Sequence, residues 1–295
     1  MTKRKMFHLR PHIVCILDVL GQKERLAEWA NVDVQDATAS MPAIKKTAGT
    51  MVKLEDMVSD FLAAFQQPTE YSSKIASLPK AKQEVAARFN DCTLGTQQFA
   101  DTLIFYAPTA NSFGDVSSTA LYRILTGCAT VMLMCLAARV PMRGGVSVGW
   151  GTELAEHNFY GPALGEAHLL EETIAEYPRV AVSESVLRFI RTIQKCSGND
   201  DIGRIMRALA GHCQALICED SDGHMMVDFL GEGFRNVIGD ADPETVDAIG
   251  KAYGFVFSEA HRFKEAGNHK LAGRYERLRH YIESRLRLWG IEAGK

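Results

Sequence analysis

Asp18 and Asp101 each stand in an apolar, strand-like run. These are His-Ile-Val-Cys-Ile-Leu-Asp-Val-Leu-Gly over 12–21 and Gln-Gln-Phe-Ala-Asp-Thr-Leu-Ile-Phe-Tyr over 97–106. A carboxylate in such surroundings needs a cation or strong donors. Two of them side by side repel each other unless a cation lies between them. The chemistry indicated is a divalent-metal site, with the Val19 carbonyl at the following turn as a further oxygen ligand. Hard oxygen donors of this kind suit Mg²⁺ or Mn²⁺. Taken singly, an Asp at a strand end is more commonly a turn residue or helix cap than a ligand.

The elements that must position these residues follow from the pattern. Residues 12–18 read as a first strand, with a tight turn at Gly21 and a helix over Gln22 to Trp29. Met51, Leu54, Met57, Val58, Phe61, Leu62 and Phe65 recur at helical spacing within a long insertion over about 30–90, which closes with a polar loop from Pro68 to Pro79. Residues 96–106 read as a second strand, and Ser117 or Ser118 caps a helix running to about Arg139. Arg143 to Trp150 is a third strand, in which Gly144, Gly145 and Gly149 indicate close backbone approach or bulges.

Tyr160-Gly161-Pro162 opens a helix through Glu176. A short strand, Arg179 to Val182, and a helix, Glu184 to Ile193, follow it. Gln214 to Cys218 and His224 to Leu230 form a hairpin around Ser221-Asp222-Gly223. Pro243 to Trp289 is helical, with an apolar stripe through Leu271, Tyr275, Leu278, Ile282 and Leu286. Arg274, Arg277, Arg279, Arg285 and Arg287 flank that stripe, as on an ordinary solvated helix face.

Composition narrows the classes. The chain has 295 residues, 46% hydrophobic content and a formal net charge of −3. That is enough for one large core or two modest ones, and it gives no general reason to bind nucleic acid or a membrane surface. The longest uncharged stretch, Ile124 to Ala138, is shorter than the roughly 20 residues of a membrane span. The basic N-terminus runs into a strand without a small-residue cleavage site, unlike a signal peptide. Seven cysteines without Cys-x-x-Cys spacing fit free thiols in a reducing compartment, and a cytoplasmic location is expected. His212, Cys213, Cys218 and His224 match no established zinc spacing.

Strand, helix, strand, helix, strand begins a split βαβ, ferredoxin-like arrangement in which the ends of the first two strands lie side by side. In these residues the chain resembles the class III nucleotidyl cyclases. Asp18-Val19-Leu20-Gly21 matches the family's first metal-binding turn, and Asp101 in Phe-Ala-Asp-Thr matches its second metal-binding Asp, which sits in a hairpin. Arg143-Gly144-Gly145-Val146-Ser147-Val148-Gly149 matches its glycine-bearing strand. Tyr160-Gly161-Pro162-Ala163-Leu164, followed by Ala167 and Glu171, matches its aromatic-Gly helix opening.

The resemblance spans about residues 10–230. It implies an α+β, antiparallel-sheet cyclase domain over 1–235 with the insertion inside it, and a helical extension over 236–295 that packs on the core or on a dimer partner. The implied reaction is attack of a ribose 3′-oxygen on the α-phosphorus of a nucleoside triphosphate, with loss of pyrophosphate. Two Mn²⁺ or Mg²⁺ ions per site are implied, held by Asp18, Val19 and Asp101. Arg143 would face the polyphosphate with a planar, bidentate cation; a strand-end Arg paired with a surface acid is the simpler alternative.

The departures carry information too. Familiar members place an Asn and, four residues on, an Arg in the helix after the aromatic-Gly opening, where this chain has Gly165 and Leu169. His168 is the nearby substitute, though it also reads as a plain helix-surface residue. The base-reading positions hold Gln97 and Asn158, beside Tyr160, in place of the purine cyclases' Lys and Asp or Glu and Cys. An amide offers both a donor and an acceptor, which suits a pyrimidine edge; both residues would also serve as ordinary loop polars.

Those departures, the insertion and the C-terminal helices resemble the bacterial pyrimidine cyclases of anti-phage Pycsar systems. That likeness implies conversion of UTP to cyclic UMP in a homodimer with sites at the subunit interface, the product acting on a separate cyclic-nucleotide-activated effector. The alternatives are a cytidylate or purine cyclase, or a catalytically silent nucleotide-binding regulator.

Overall fold

The computed structural model describes residues 8–21, 76–111, 113–154, 158–196, 198–239 and 243–292, with helical positions scattered between 41 and 65. The expected helix over Gln22 to Trp29 lies outside the described residues, as do Met51, Leu54, Met57, Val58 and most of the 68–79 loop. Of the insertion's apolar stripe, Phe61 and Phe65 are buried in the core, and Phe61 stacks on Phe105 with ring centroids 3.7 Å apart.

The architecture is α+β. Eight strands form a mostly antiparallel sheet: β1 (Arg10–Val19), β2 (Gly95–Phe99), β3 (Thr102–Pro108), β4 (Met142–Glu153), β5 (Phe159–Tyr160), β6 (Val180–Val182), β7 (Ile217–Glu219) and β8 (Met225–Val227). Their order is β2-β3-β1-β4-β6-β8-β7, with β5 paired on β4. Only the β4–β6 pairing is parallel among those strands. The helices are α1 (Lys80–Asn90), α2 (Thr119–Ala137), α3 (Pro162–Thr173), α4 (Glu184–Cys196), α5 (Asp201–Ala215), α6 (Glu232–Ile238), α7 (Pro243–Glu265) and α8 (His269–Leu286).

Alternation along β1 sorts the two faces of the sheet. Ile13, Cys15, Leu17 and Val19 point into the large core around α2, α5, α7 and α8. Val14 and Ile16 join Ile104, Tyr106, Phe159, Ala163 and Ala167 in a smaller cluster beneath α3. α2 is the one helix among the described residues long and apolar enough to cross a membrane. Most of it is buried inside the fold, which its all-round apolar surface requires. All seven cysteines are free, and Cys15 and Cys128 meet inside the core with their sulfurs 3.3 Å apart.

Several expected elements differ in extent. The single strand over 96–106 is a hairpin broken at Ala100-Asp101, so Asp101 sits in a two-residue turn and not within an apolar strand. Ala100 takes φ +54°, a left-handed conformation that glycine adopts more readily, and nothing in the residue types announces it. The helix opened by Pro162 ends at Thr173, three residues early. Residues 201–215 form α5, capped by Asp200 accepting from Gly203 N at 2.9 Å, so the strand expected from Gln214 begins only at Ile217. The C-terminal helix is two helices, because Gly267 adopts φ +69° and Asn268 caps α8.

The basic flank of α8 is tied down. Arg277 lies 3.4 Å from Asp222, Arg279 2.8 Å from Glu276, Arg274 3.9 Å from Glu176 and Arg285 3.1 Å from Asp228. Two buried knots bind α8 and the β7–β8 region to the rest. Arg179, nearly inaccessible, bridges Asp220, Asp222 and the Ile174 carbonyl. Asp228 accepts from Tyr281 Oη at 2.8 Å and from Arg285 Nε and Nη2 at 3.1 Å each, while Trp289 Nε1 donates to the Leu230 carbonyl at 2.9 Å.

Candidate active site

Cross-strand register places the predicted residues in rows on the α3 face of the sheet, because directly opposed residues share a face. One row reads Phe99, Thr102, Asp18, Arg143 across β2, β3, β1 and β4. The next reads Gln97, Ile104, Ile16, Gly145. Asp18 and Arg143 are thus immediate neighbours at the open end of the sheet, with Asp101 one residue before Thr102 in the turn beside them.

Thr102 Oγ1 donates to Asp18 Oδ1 at 3.0 Å, and Arg143 Nε lies 3.6 Å from Asp18 Oδ2. Burial nevertheless pushes the Asp18 carboxyl above its ordinary range, helped by the charge of Asp101 and opposed by Thr102 and Arg143. Val19 has its side chain in the core. Leu20 N donates to the Pro141 carbonyl at 2.9 Å. The Val19 C=O and the Leu20 N–H belong to one trans peptide and point opposite ways, so the Val19 carbonyl turns away from β4, toward the side of the Asp101 turn.

A divalent cation fits this donor set. Two mutually repelling carboxylates and a backbone carbonyl are hard oxygens, and the Asp101 charge adds to the burial that raises the Asp18 carboxyl. Among the described residues, no group of three or more His, Cys, Asp and Glu side chains is arranged to hold a metal ion. A metal held here would need the peptide oxygen and water beside the two carboxylates.

A carboxyl raised by folding binds its proton more tightly in the native state, so stability falls as pH rises from the unfolded value through the raised one. Asp18→Asn removes that penalty. The metal-free variant is expected to melt about 2–4 °C above wild type at pH 7.5, roughly 1 kcal/mol, and to match it near pH 4. A lower melting point at pH 7.5 would show that Arg143 and Thr102 more than offset the burial.

The helix α3 builds the other wall. Ala163, Ala167 and Glu171, four residues apart, form its buried face. It lies this close to the sheet because of Gly145: an added Cβ there would overlap the Ala167 carbonyl oxygen and stand 2.8 Å from Leu170 Cβ. Ser147 Oγ donates to the Ala163 carbonyl at 2.6 Å and fixes the same contact. Glu171 is only 4% exposed. Its Oε1 lies 2.7 Å from Arg143 Nη2 as an ion pair without hydrogen-bond alignment, and its Oε2 lies 3.3 Å from His168 Nδ1. Burial and the nearby Asp18 charge push the Glu171 carboxyl up, against Arg143 and His168. The pattern Ala163-Ala167-Glu171 held the signal for this residue, since an acid on a helix's apolar face must find a partner.

His168 itself is an outward residue, its side chain 62% exposed. Gly165 faces open space and Leu169 is 58% exposed, so both point away from this sheet. Gln97 and Asn158 converge: Gln97 Oε1 accepts from Phe159 N at 3.1 Å, and the Asn158 carbonyl accepts from Leu154 N at 2.6 Å, closing the β4–β5 connection. Tyr160 projects outward at 69% exposure. Phe99, missed from the sequence, stands on the same face at the end of the Asp18 row and is 76% exposed. No protein-family model matches the chain, and no curated protein is significantly similar to it.

Proposed function

We propose that this chain is a class III-type nucleotidyl cyclase that converts UTP to 3′,5′-cyclic UMP and pyrophosphate, in the manner of the Pycsar pyrimidine cyclases. The observation that carries the reading is the row Thr102, Asp18, Arg143 with Asp101 in the adjoining turn: two coupled carboxylates and one cation at the open end of an antiparallel sheet. Asp18, Asp101 and the Val19 carbonyl would hold two Mn²⁺ or Mg²⁺ ions. Divalent cations there would acidify the ribose 3′-hydroxyl and neutralise the phosphates.

The chain's own groups do the rest. Arg143 presents a planar guanidinium to the polyphosphate. Gln97, anchored through its Oε1 to the Phe159 amide, leaves its amide N–H groups to address the base, with Asn158 and Tyr160 alongside. His168, exposed on α3 and next to Glu171, is the candidate proton or charge donor. Gly165, His168 and Leu169 face outward, and Phe99, Tyr160 and Leu169 are exposed apolar residues. Both facts favour a homodimer whose second copy completes the site, the commonest closed pairing being two-fold. The product would act on a separate cyclic-nucleotide-activated effector, and the enzyme would work in the cytoplasm.

The absence of a donor side chain at Gly165 and Leu169 favours one other reading, a catalytically silent nucleotide-binding domain. Incubation of the purified protein with ATP, GTP, CTP or UTP and Mn²⁺, with mass detection of 3′,5′-cyclic product, separates the readings. Cyclic UMP is the expected product. A purine product would overturn the base assignment, and no cyclic product from any of the four would leave the silent domain.

A further inference from the structure

Arg143 is suspended between two acids. Its Nε lies 3.6 Å from Asp18 Oδ2 while its Nη2 lies 2.7 Å from Glu171 Oε1. Neither contact is an aligned hydrogen bond: Arg143 Nε and Glu171 Oε1 are both buried without a hydrogen-bond partner. Opposed strand positions would otherwise let the guanidinium close on Asp18, since Asp18 and Arg143 are direct cross-strand neighbours. Glu171 meets the other end of the guanidinium at the shorter of the two distances. Its place is set by α3, whose depth against the sheet is fixed by Gly145 and by the Ser147 hydrogen bond to Ala163. A carboxylate this buried is costly without a partner.

We propose that Glu171 is a positioning residue that draws the Arg143 guanidinium off Asp18, so that Asp18 is free to take a divalent cation and Arg143 to meet phosphate. The inference rests on the metal site of the cyclase reading. An arginine closed on Asp18 would compete with the cation for the same oxygens, and affinity for the metal would fall with no ligand changed.

The test is direct Mn²⁺ binding to the purified full chain, read from loss of the free-ion paramagnetic resonance signal, with thermal melts alongside. Glu171→Asp keeps the charge and withdraws the carboxylate by one methylene, and Glu171→Gln removes the charge in the same shape. Both are expected to weaken Mn²⁺ binding about tenfold, roughly the coupling between residues of one ion network. Arg143→Met combined with Glu171→Gln removes the competitor as well, and is expected to return Mn²⁺ affinity to within about twofold of wild type.

Glu171→Asp binding as wild type does would overturn the proposal, since charge alone would then account for any loss in Glu171→Gln. A double variant as weak as Glu171→Gln would overturn it too. If Glu171→Gln does not fold, Glu171→Asp carries the test. Wild type that binds Mn²⁺ but makes no cyclic nucleotide would sink the cyclase reading alone. Unchanged Mn²⁺ affinity in Glu171→Asp, with cyclic UMP still made by wild type, would sink this inference alone.

Discussion

Asp101→Ala is expected to lower cyclic-nucleotide formation by about 1,000-fold or more, in line with removal of a charge that acts on the transition state. The fold should hardly notice. Asp101 occupies a half-buried turn between β2 and β3, and surface changes outside special features usually fall within about 0.5 kcal/mol. The measurement is initial rate with UTP and Mn²⁺ together with a melting curve. Turnover within tenfold of wild type, at unchanged stability, would show that the metal assignment is wrong. Asp18→Ala makes a less clean experiment, because it strands both the Thr102 hydroxyl and the Arg143 guanidinium that now face Asp18.

Gly145→Val is expected to cost about 3 kcal/mol, at the upper end for overpacking, and so to lower the melting point by about 6–12 °C for a chain of this size. The valine's Cβ would collide with the Ala167 carbonyl and press on Leu170, neither of which is the free end of a flexible side chain. α3 would have to lift, carrying Glu171 away from Arg143 and Ala163 away from Ser147. Activity should fall with stability, unlike the Asp101 variant, in which the two separate. A melting point within about 2 °C of wild type would mean that α3 does not pack on β4 this tightly.

The contrast between these two positions explains what the sequence disclosed. Gly145 could be read in advance, since a glycine in an apolar strand has few uses other than close approach. Asp18 stood out for a similar reason: a charge in an apolar run demands explanation. The turn at Asp101 is not legible in the residue types, because Ala100 fills a left-handed position that usually belongs to glycine.

Glu171 escaped a role because its meaning depends on which strand α3 lies against, and a helix's own periodicity says only that one face is buried. α5 is legible in Ile202, Ile205, Met206, Leu209 and Cys213, which recur at helical spacing behind an Asp cap. The division between α7 and α8 was signalled by Gly267-Asn268, a helix stop followed by a helix start.

The Asp228 knot has a consequence for how the protein comes into being. Asp228 leaves the ribosome long before Tyr281 and Arg285, which neutralise it, and Leu230 long before Trp289, which caps its carbonyl. Until those last residues emerge, the segment after β8 carries a carboxylate with no counter-charge and an apolar surface with no cover. Over that interval the core also lacks Tyr275, Leu278 and Ile282, which α8 contributes beside Ile13 and Val146 of the central strands, so the nascent chain exposes apolar surface of the kind on which chaperones act.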